Sequence, residues 1–323
     1  MIARAARIGL VIGFVAAALF LIPIPYIIFG PGSAVDLTRA IMVPGHVSPP
    51  GKFYLTDVDL MPGRPFFYAV AKVLPGYEII RRQELVPPSV SDRQLNAALV
   101  DAMTESQTNA QIVAERAAGL PVRSRSSFVV TRVVPRSPGA RCFHIGDQIE
   151  AVNGKQLPNA NTLPSATAAK PRGTRFTLTV RRGSRDLTIA CTTFLFRGKP
   201  RFGITGTFQT RAYSLPVHVT FHIVNINGSS AGLMFALQIY RTLTGKDIAA
   251  GANVAGTGVL SADGTVGPIE GAREKVRAAT RARAHIFLVP ETNYADIKDT
   301  PNIQVIPVRT FQAALDALQK SQL

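Results

Sequence analysis

The sequence predicts an α+β multidomain chain with an N-terminal transmembrane helix, a small β module in the middle and an α/β domain at the C-terminal end. Three observations predict it. Residues Ile8 to Val35 carry no charge, residues 123 to about 196 alternate with period two, and strand-like and helix-like segments take turns from Ser214 to Leu323. The last pattern is that of a sheet with helices packed on it. At 323 residues with 46% hydrophobic content, the chain exceeds one ordinary domain and has material for more than one core.

The uncharged run includes I-G-L-V-I-G-F-V-A-A-A-L-F-L-I-P-I-P-Y-I-I-F, and about twenty such residues span a bilayer. Arg4 and Arg7 precede it, and Asp36 is the first charge after it. The positive-inside bias therefore places residues 1–7 in the cytoplasm, a single-pass helix over 8–29 in the cytoplasmic membrane, and the rest outside. No small-x-small cleavage site follows the run, which favours a retained anchor over a cleaved signal peptide.

Residues 30–122 form the N-terminal extracytoplasmic region. Its first part is rich in Pro and Gly, and F-Y-L-T-D-V-D-L and F-F-Y-A-V-A-K-V-L read as strands or one short helix between loops. No chemistry is visible there. From Ser91 the sequence sets Leu95, Ala98, Leu99, Ala102 and Met103 at helical spacing, with Ser91 or Asp92 as cap and Gly119 as stop. This is an amphipathic helix whose apolar face packs into a core.

The net charge of +16 is spread along the chain without a Lys/Arg block. With no zinc-finger spacing, RNA-binding signature or basic helix, it points to anionic lipid or envelope polymer, and no nucleic-acid partner is expected. Cys142 and Cys191 are the only cysteines, too few for a metal cluster; a disulfide and two buried thiols both remain open. His218 and His222 share a strand face but lack a third ligand, so they read as surface histidines. No metal or cofactor is expected, and no phosphate-binding G-x-x-x-x-G-K-[ST] occurs in these residues.

Chemistry enters at N-G-S-S-A-G-L-M-F-A-L, residues 227–237. The stretch reads as a tight turn feeding a helix that opens with Ser230, Ala231 and Gly232. Unpaired N–H groups at such a start, aided by the helix dipole, stabilise a negative oxygen, as a serine attacking a carbonyl requires. A capped helix docking on a sheet fits the same residues. The second element is Lys275 in G-A-R-E-K-V-R-A-A-T-R-A-R-A. At 100° per residue, Ala272, Ala278, Ala279 and Ala282 share its face and Arg273, Arg277 and Arg281 lie opposite. A lysine centred on a small apolar face loses its hydration, which favours the neutral, basic form. The alternative is a lysine whose stem passes the alanines to reach water.

Two resemblances connect these pieces. V-x-x-V-x-x-x-S-P-x-A from Val130, followed by G-D-x-I-x-x-V-N-G from Gly146, resembles the PDZ signature and covers the β module, residues 123–205. The resemblance implies that Gly146 and Asp147 shape a turn and that a peptide adds as a strand along an exposed edge. It puts the groove near Ser124 to Phe128, with Ser127, Phe128 and Val129 as peptide-binding residues.

In the C-terminal domain, residues 206–323, N-G-S-S-A-G-L-M-F-A-L, then T-G, D-G-T-V-G-P-I-E-G-A-R-E-K-V-x-A-A and F-L-V-P resemble in order and spacing the proteolytic domain of Lon-type serine-lysine peptidases. The whole chain resembles the membrane-anchored PDZ and Lon-like proteases of bacteria, which lack Lon's ATPase module. Carried over by position, the resemblance makes Ser230 the nucleophile, Lys275 the general base and Thr257 a hydroxyl beside them. The backbone of Gly228, Ser229 and Ser230 supplies the oxyanion site. It further implies an α/β proteolytic fold and assembly into a homo-oligomer. Ser229 stands where the family usually has proline, and Glu270 where it has glycine; a carboxylate near the lysine helix raises the lysine pKa. The expected function is ATP-independent, membrane-tethered cleavage of exported or envelope polypeptides, with the PDZ module capturing or gating substrate. A non-catalytic envelope scaffold is the alternative of a different class.

Overall fold

The computed structural model describes residues 13, 14, 16–86, 90–224 and 226–320. Of the span expected at 8–29, residues 8–12 and 15 lie outside the described residues. Among the described ones, no helix is long and apolar enough to cross a membrane. The far end of that expectation is corrected: Tyr26–Gly30 is a strand, β1, and not helix. It is the middle strand of a small antiparallel sheet, between β4 (Asp59–Pro62) and β5 (Glu78–Arg81). The β-branched and aromatic run Tyr-Ile-Ile-Phe suits a pleated, half-buried strand as well as a helix, and pairing on both edges decides for the strand.

The C-terminal domain is built on a five-stranded sheet in the order β2 (Ala34–Asp36), β3 (Phe53–Thr56), β11 (Val254–Gly256), β12 (Ile286–Pro290) and β13 (Gln304–Val308). All pairs are parallel except β2 with β3. Parallel strands covered on both faces read as continuous apolar runs, and Ile286–Pro290 is buried at every position. Alternation sorts the two faces. Phe53, Leu55, Ile286 and Leu288 join the core under helix α4 (Gly232–Thr244), while Tyr54, Phe287 and Val289 join the core under α5 (Ala272–Arg281). The final helix, α6 (Phe311–Lys320), closes the α4 side.

Residues 30–122 are therefore not a separate unit. They supply β2 and β3 to this sheet and, between β4 and β5, the helix α1 (Pro65–Val73). Arg241 of α4 holds the approach to β3: its fully buried guanidinium donates to the carbonyls of Pro49, Pro50 and Gly51 and lies 4.3 Å from the Phe53 ring centroid. The predicted amphipathic helix is α2 (Asp92–Ala117), started by a capping box in which Ser91 and Gln94 satisfy each other's backbone N–H groups. It packs along α4, and its Met103, Ala110, Val113 and Ala114 enter the same core.

Between α2 and the Lon-like segment sits the β module. Its sheet runs β9 (Arg185–Thr192), β8 (Arg175–Arg182), β7 (Gln148–Val152), β6 (Arg123–Val133) and β10 (Ile204–Ser214), with α3 (Thr162–Ala168) packed at one end. The boundary expected at 205/206 thus falls inside β10, which pairs with β6. Gly146 turns at φ +93°, and Asp147, 1% exposed, accepts from His144 N–H and from two nitrogens of Arg182. Burial pushes the Asp147 carboxyl up, but the Arg182 and His144 hydrogen bonds hold it below its ordinary value. The cysteine question resolves as a disulfide, Cys142–Cys191, with Cα atoms 5.9 Å apart. The expected strand around His218 and His222 shrinks to Thr220–Phe221, with the His222 N–H donated to Ala40 O.

Candidate active site

Ser230 lies two residues before α4, which begins at Gly232 with Ala231 as its cap; the helix does not start at the serine itself. The turn before it passes through Gly228 at φ +99°, a left-handed conformation that only glycine adopts without strain. Ser230 O is fixed from behind, accepting from Gly258 N–H at 2.7 Å and Thr257 Oγ1 at 3.1 Å. Those donors stand at the end of β11, so the sheet sets the height of the nucleophile.

Lys275 comes from the opposite face. Gly271, at φ +67°, opens α5, and the alanine face of that helix packs on Tyr54, Phe287 and Val289. Lys275 is 3% exposed, and its Nζ reaches Ser230 Oγ at 3.0 Å and Thr257 Oγ1 at 3.4 Å. Burial lowers its pKa from 10.5 to about 8, against the opposing fields of Asp57 and Glu270. Desolvation wins because the ammonium has hydroxyls for partners and no carboxylate within its own hydrogen bonds. The predicted trio Ser230, Lys275 and Thr257 is thus brought together, and the lysine is buried on the alanine face of its helix. Glu270 acts in the expected direction without reversing the shift.

The cleft at the dyad has a volume of about 380 Å³. Its floor is Ser230 and Lys275; its walls are Leu55 to Leu60 and, from α2, Asn96, Leu99 and Met103. A larger cavity of about 720 Å³ lies on the arginine side of α5, but neither Ser230 nor Lys275 lines it, so the smaller one is where chemistry is possible. The walls were missed in the sequence. Residues 55–60 look like an ordinary strand exit, and α2 looks purely structural, because only its helical repeat is legible in the chain.

Helix α2 in fact holds the turn that leads into Ser230. Gly228 N–H donates to Leu99 O at 2.9 Å, Ser106 Oγ donates to Ser229 O at 3.1 Å, and Asn109 Nδ2 donates to Leu260 O at 3.1 Å. This narrows the predicted oxyanion site. The Gly228 N–H is already committed to Leu99, whereas among the described residues the Ser229 and Ser230 N–H groups have no acceptor.

The predicted peptide-binding residues are corrected. Ser127, Phe128 and Val129 lie on β6, an interior strand: Phe128 and Val129 pair with Phe208 and Thr207 of β10 on one side and with Ile149 and Gln148 of β7 on the other. A strand bonded along both edges cannot take on another. The free edges of this sheet belong to β9 and β10, and the Thr207–Gln209 part of β10 lines a cavity of about 480 Å³ together with α2 and Ser229. No signal in the sequence distinguished β6 from β10, because both carry the same alternation.

Residues 185–318 match the model of the Lon protease (S16) C-terminal proteolytic domain, and residues 106–193 that of the PDZ domain. The chain carries a Lon-type serine-protease domain and a PDZ domain. The Lon protease of Neorickettsia sennetsu is 33% identical over 120 residues, which are 36% of this chain and 14% of that protein. Lon protease 1 of Thermus thermophilus is 31% identical over 158 residues, 48% of this chain and 20% of that protein. The chain thus spans a small part of the length of these relatives. Among solved structures, the PDZ domain of an SdrC-like protein from Listeria monocytogenes has a TM-score of 0.24 at 21% identity, covering 24% of this chain and 85% of that one. Neither family match includes β2 or β3, which nevertheless complete the Lon-type sheet, and β3 walls its cleft through Leu55 and Thr56.

Proposed function

We propose that the chain is a membrane-tethered serine endopeptidase that works without ATP on exported or envelope polypeptides outside the cytoplasmic membrane. The observation that carries the reading is the 3.0 Å contact between Lys275 Nζ and Ser230 Oγ at a site where the lysine is buried. Neutral Lys275 takes the Ser230 proton as Oγ attacks the scissile carbonyl; the developing oxyanion is received by the free N–H groups of Ser229 and Ser230. Protonated Lys275 then gives its proton to the leaving amine, and a water repeats the sequence to release the acyl group. Thr257 Oγ1, bonded to Ser230 O and within reach of Nζ, orients the lysine toward the serine.

Three features support the setting. The uncharged stretch that precedes β1, residues 8–25, matches the ~17–20 residues that a bilayer span needs. The Cys142–Cys191 disulfide suits an oxidising compartment. The free edge of β10, next to Ser229, suits a PDZ module that gates or delivers polypeptide to the dyad. The test is a fluorophosphonate probe with peptide mapping. Label on Ser230, lost in Lys275→Ala, is expected; label on Ser229 or no label, with the protein folded, would sink the dyad and return the scaffold reading.

A further inference from the structure

The outer face of α1 is apolar where a surface helix is normally polar. Phe66, Ala69 and Val73, spaced i, i+3 and i+7, are exposed, and Leu74 follows. Val73 is 80% and Leu74 51% exposed, while the opposite side of the helix packs inward through Ala71 and through Tyr68 against the Tyr26 ring. This face is continuous with the end of the uncharged N-terminal run. The Phe20 ring stacks on Phe66 at 4.5 Å between centroids, and Arg64 Nη1 donates to Leu21 O at 2.9 Å. Phe20, Leu21 and Ile22 are themselves between 48% and 69% exposed. Elsewhere, residues such as Val47, Val100, Ile145 and Val224 are exposed one at a time, which is ordinary for a protein surface.

We propose that α1 and residues 20–22 form one surface that lies in the headgroup and acyl boundary of a lipid bilayer, so that the ectodomain is pressed against the membrane and does not hang from a loose tether. The inference rests on the membrane-tether reading above. Lipid is the occupant because the patch directly continues residues 8–25, the uncharged stretch before β1, which matches the ~17–20 residues a span needs. The patch also has the composition of an interfacial helix: Phe and Val outward, with Arg64 and Lys72 at its margins where anionic headgroups sit. Lys72 reaches back over the Tyr68 ring, 5.6 Å from its centroid, which keeps its charge beside the apolar stripe. The catalytic cleft adjoins this surface through the chain itself. Strand β4 places exposed Leu60 on the cleft wall and runs through Gly63 and Arg64 straight into α1.

The chain has no tryptophan, so Val73→Trp and, as a second position, Leu74→Trp each give a single emitter in the full-length protein. Each is reconstituted in phosphatidylcholine–phosphatidylglycerol vesicles with or without lipids brominated high on the acyl chain. Val47→Trp, on the loop before β3, is the control. The expected result is co-flotation of all variants, a blue-shifted emission roughly halved by brominated lipid at positions 73 and 74, and no quenching at 47. Co-flotation without quenching at 73 and 74, or with equal quenching at 47, would overturn the inference and leave the tether intact. A full-length chain that fails to float with vesicles would overturn the tether reading and this inference with it.

Discussion

The two sides of the catalytic cleft are built differently. The dyad side comes from α4, β11 and α5, within about fifty residues of sequence, and each part announces itself: small residues before a helix, a lysine among alanines, a hairpin between them. The wall side comes from residues 55–60 and from α2, more than a hundred residues upstream and separated by the whole PDZ domain. The dyad side is encoded locally, whereas the groups that hold and surround it are encoded by packing. Substitutions on the two sides should therefore fail in different ways.

The largest effect belongs to the dyad side. Ser230→Ala and Lys275→Met should each lower peptide cleavage by about a thousandfold or more, measured as kcat/KM. The two should part company in stability. At a pH below 8, a lysine with a folded pKa of about 8 and an unfolded value of 10.5 is protonated in both states, and burying that charge disfavours folding by roughly 3 kcal/mol. The unfolded chain binds more protons between those values, so stability rises with pH across that window. Lys275→Met should remove the burden and raise Tm at neutral pH, whereas Ser230→Ala should leave it nearly unchanged; a Tm that falls in Lys275→Met would count against a buried cation.

The next effect tests whether the wall tunes the dyad. Activity should climb with pH and level off above about 8, as Lys275 gives up its proton. The Asp57 carboxylate holds that proton on, so Asp57→Asn should shift the midpoint of the rate profile to lower pH. An unmoved midpoint would mean that the wall contributes shape alone. Thr257→Val deletes one hydroxyl partner of Lys275 and should cost about tenfold in kcat, with KM little changed.

Smaller still are the contacts by which α2 steadies the turn. Ser106→Ala removes the hydrogen bond to Ser229 O, worth about 1 kcal/mol, and should slow acylation severalfold in single-turnover assays. The smallest effect on rate should come from Cys142→Ser with Cys191→Ser. Opening a 49-residue separation costs the PDZ domain about 4 kcal/mol by the chain-entropy model. Its melting should therefore drop while probe labelling at Ser230 persists.

Much of this was legible in the sequence. Period two gave the PDZ strands, Ser91 and Gly119 bracketed α2, and the alanine face singled out Lys275. The failures share a cause. Tyr26–Phe29 reads as helix in the sequence because apolar runs do not declare their period, and the partners that make it a strand lie at residues 59–62 and 78–81. The PDZ resemblance puts Phe128 at the groove, but edge and interior strands alternate alike, and only the pairing of β10 with β6 tells them apart. The Lon-type sheet looked confined to the C-terminal domain because β3 is four residues long and its parallel partner is two hundred residues away.

Helix α2 gives the molecule a mechanical property. It is one uninterrupted rod of 26 residues. One stretch of it grips Gly228, and the other end enters β6 of the PDZ domain after only five residues, with Arg116 bonded both to Ser124 of that domain and to Ala262 of the catalytic hairpin. A rod anchored in this way acts as a lever. A small swing of the PDZ domain would be delivered at the turn before Ser230 as a displacement, so the β module and the Ser230–Lys275 pair are mechanically joined through one helix.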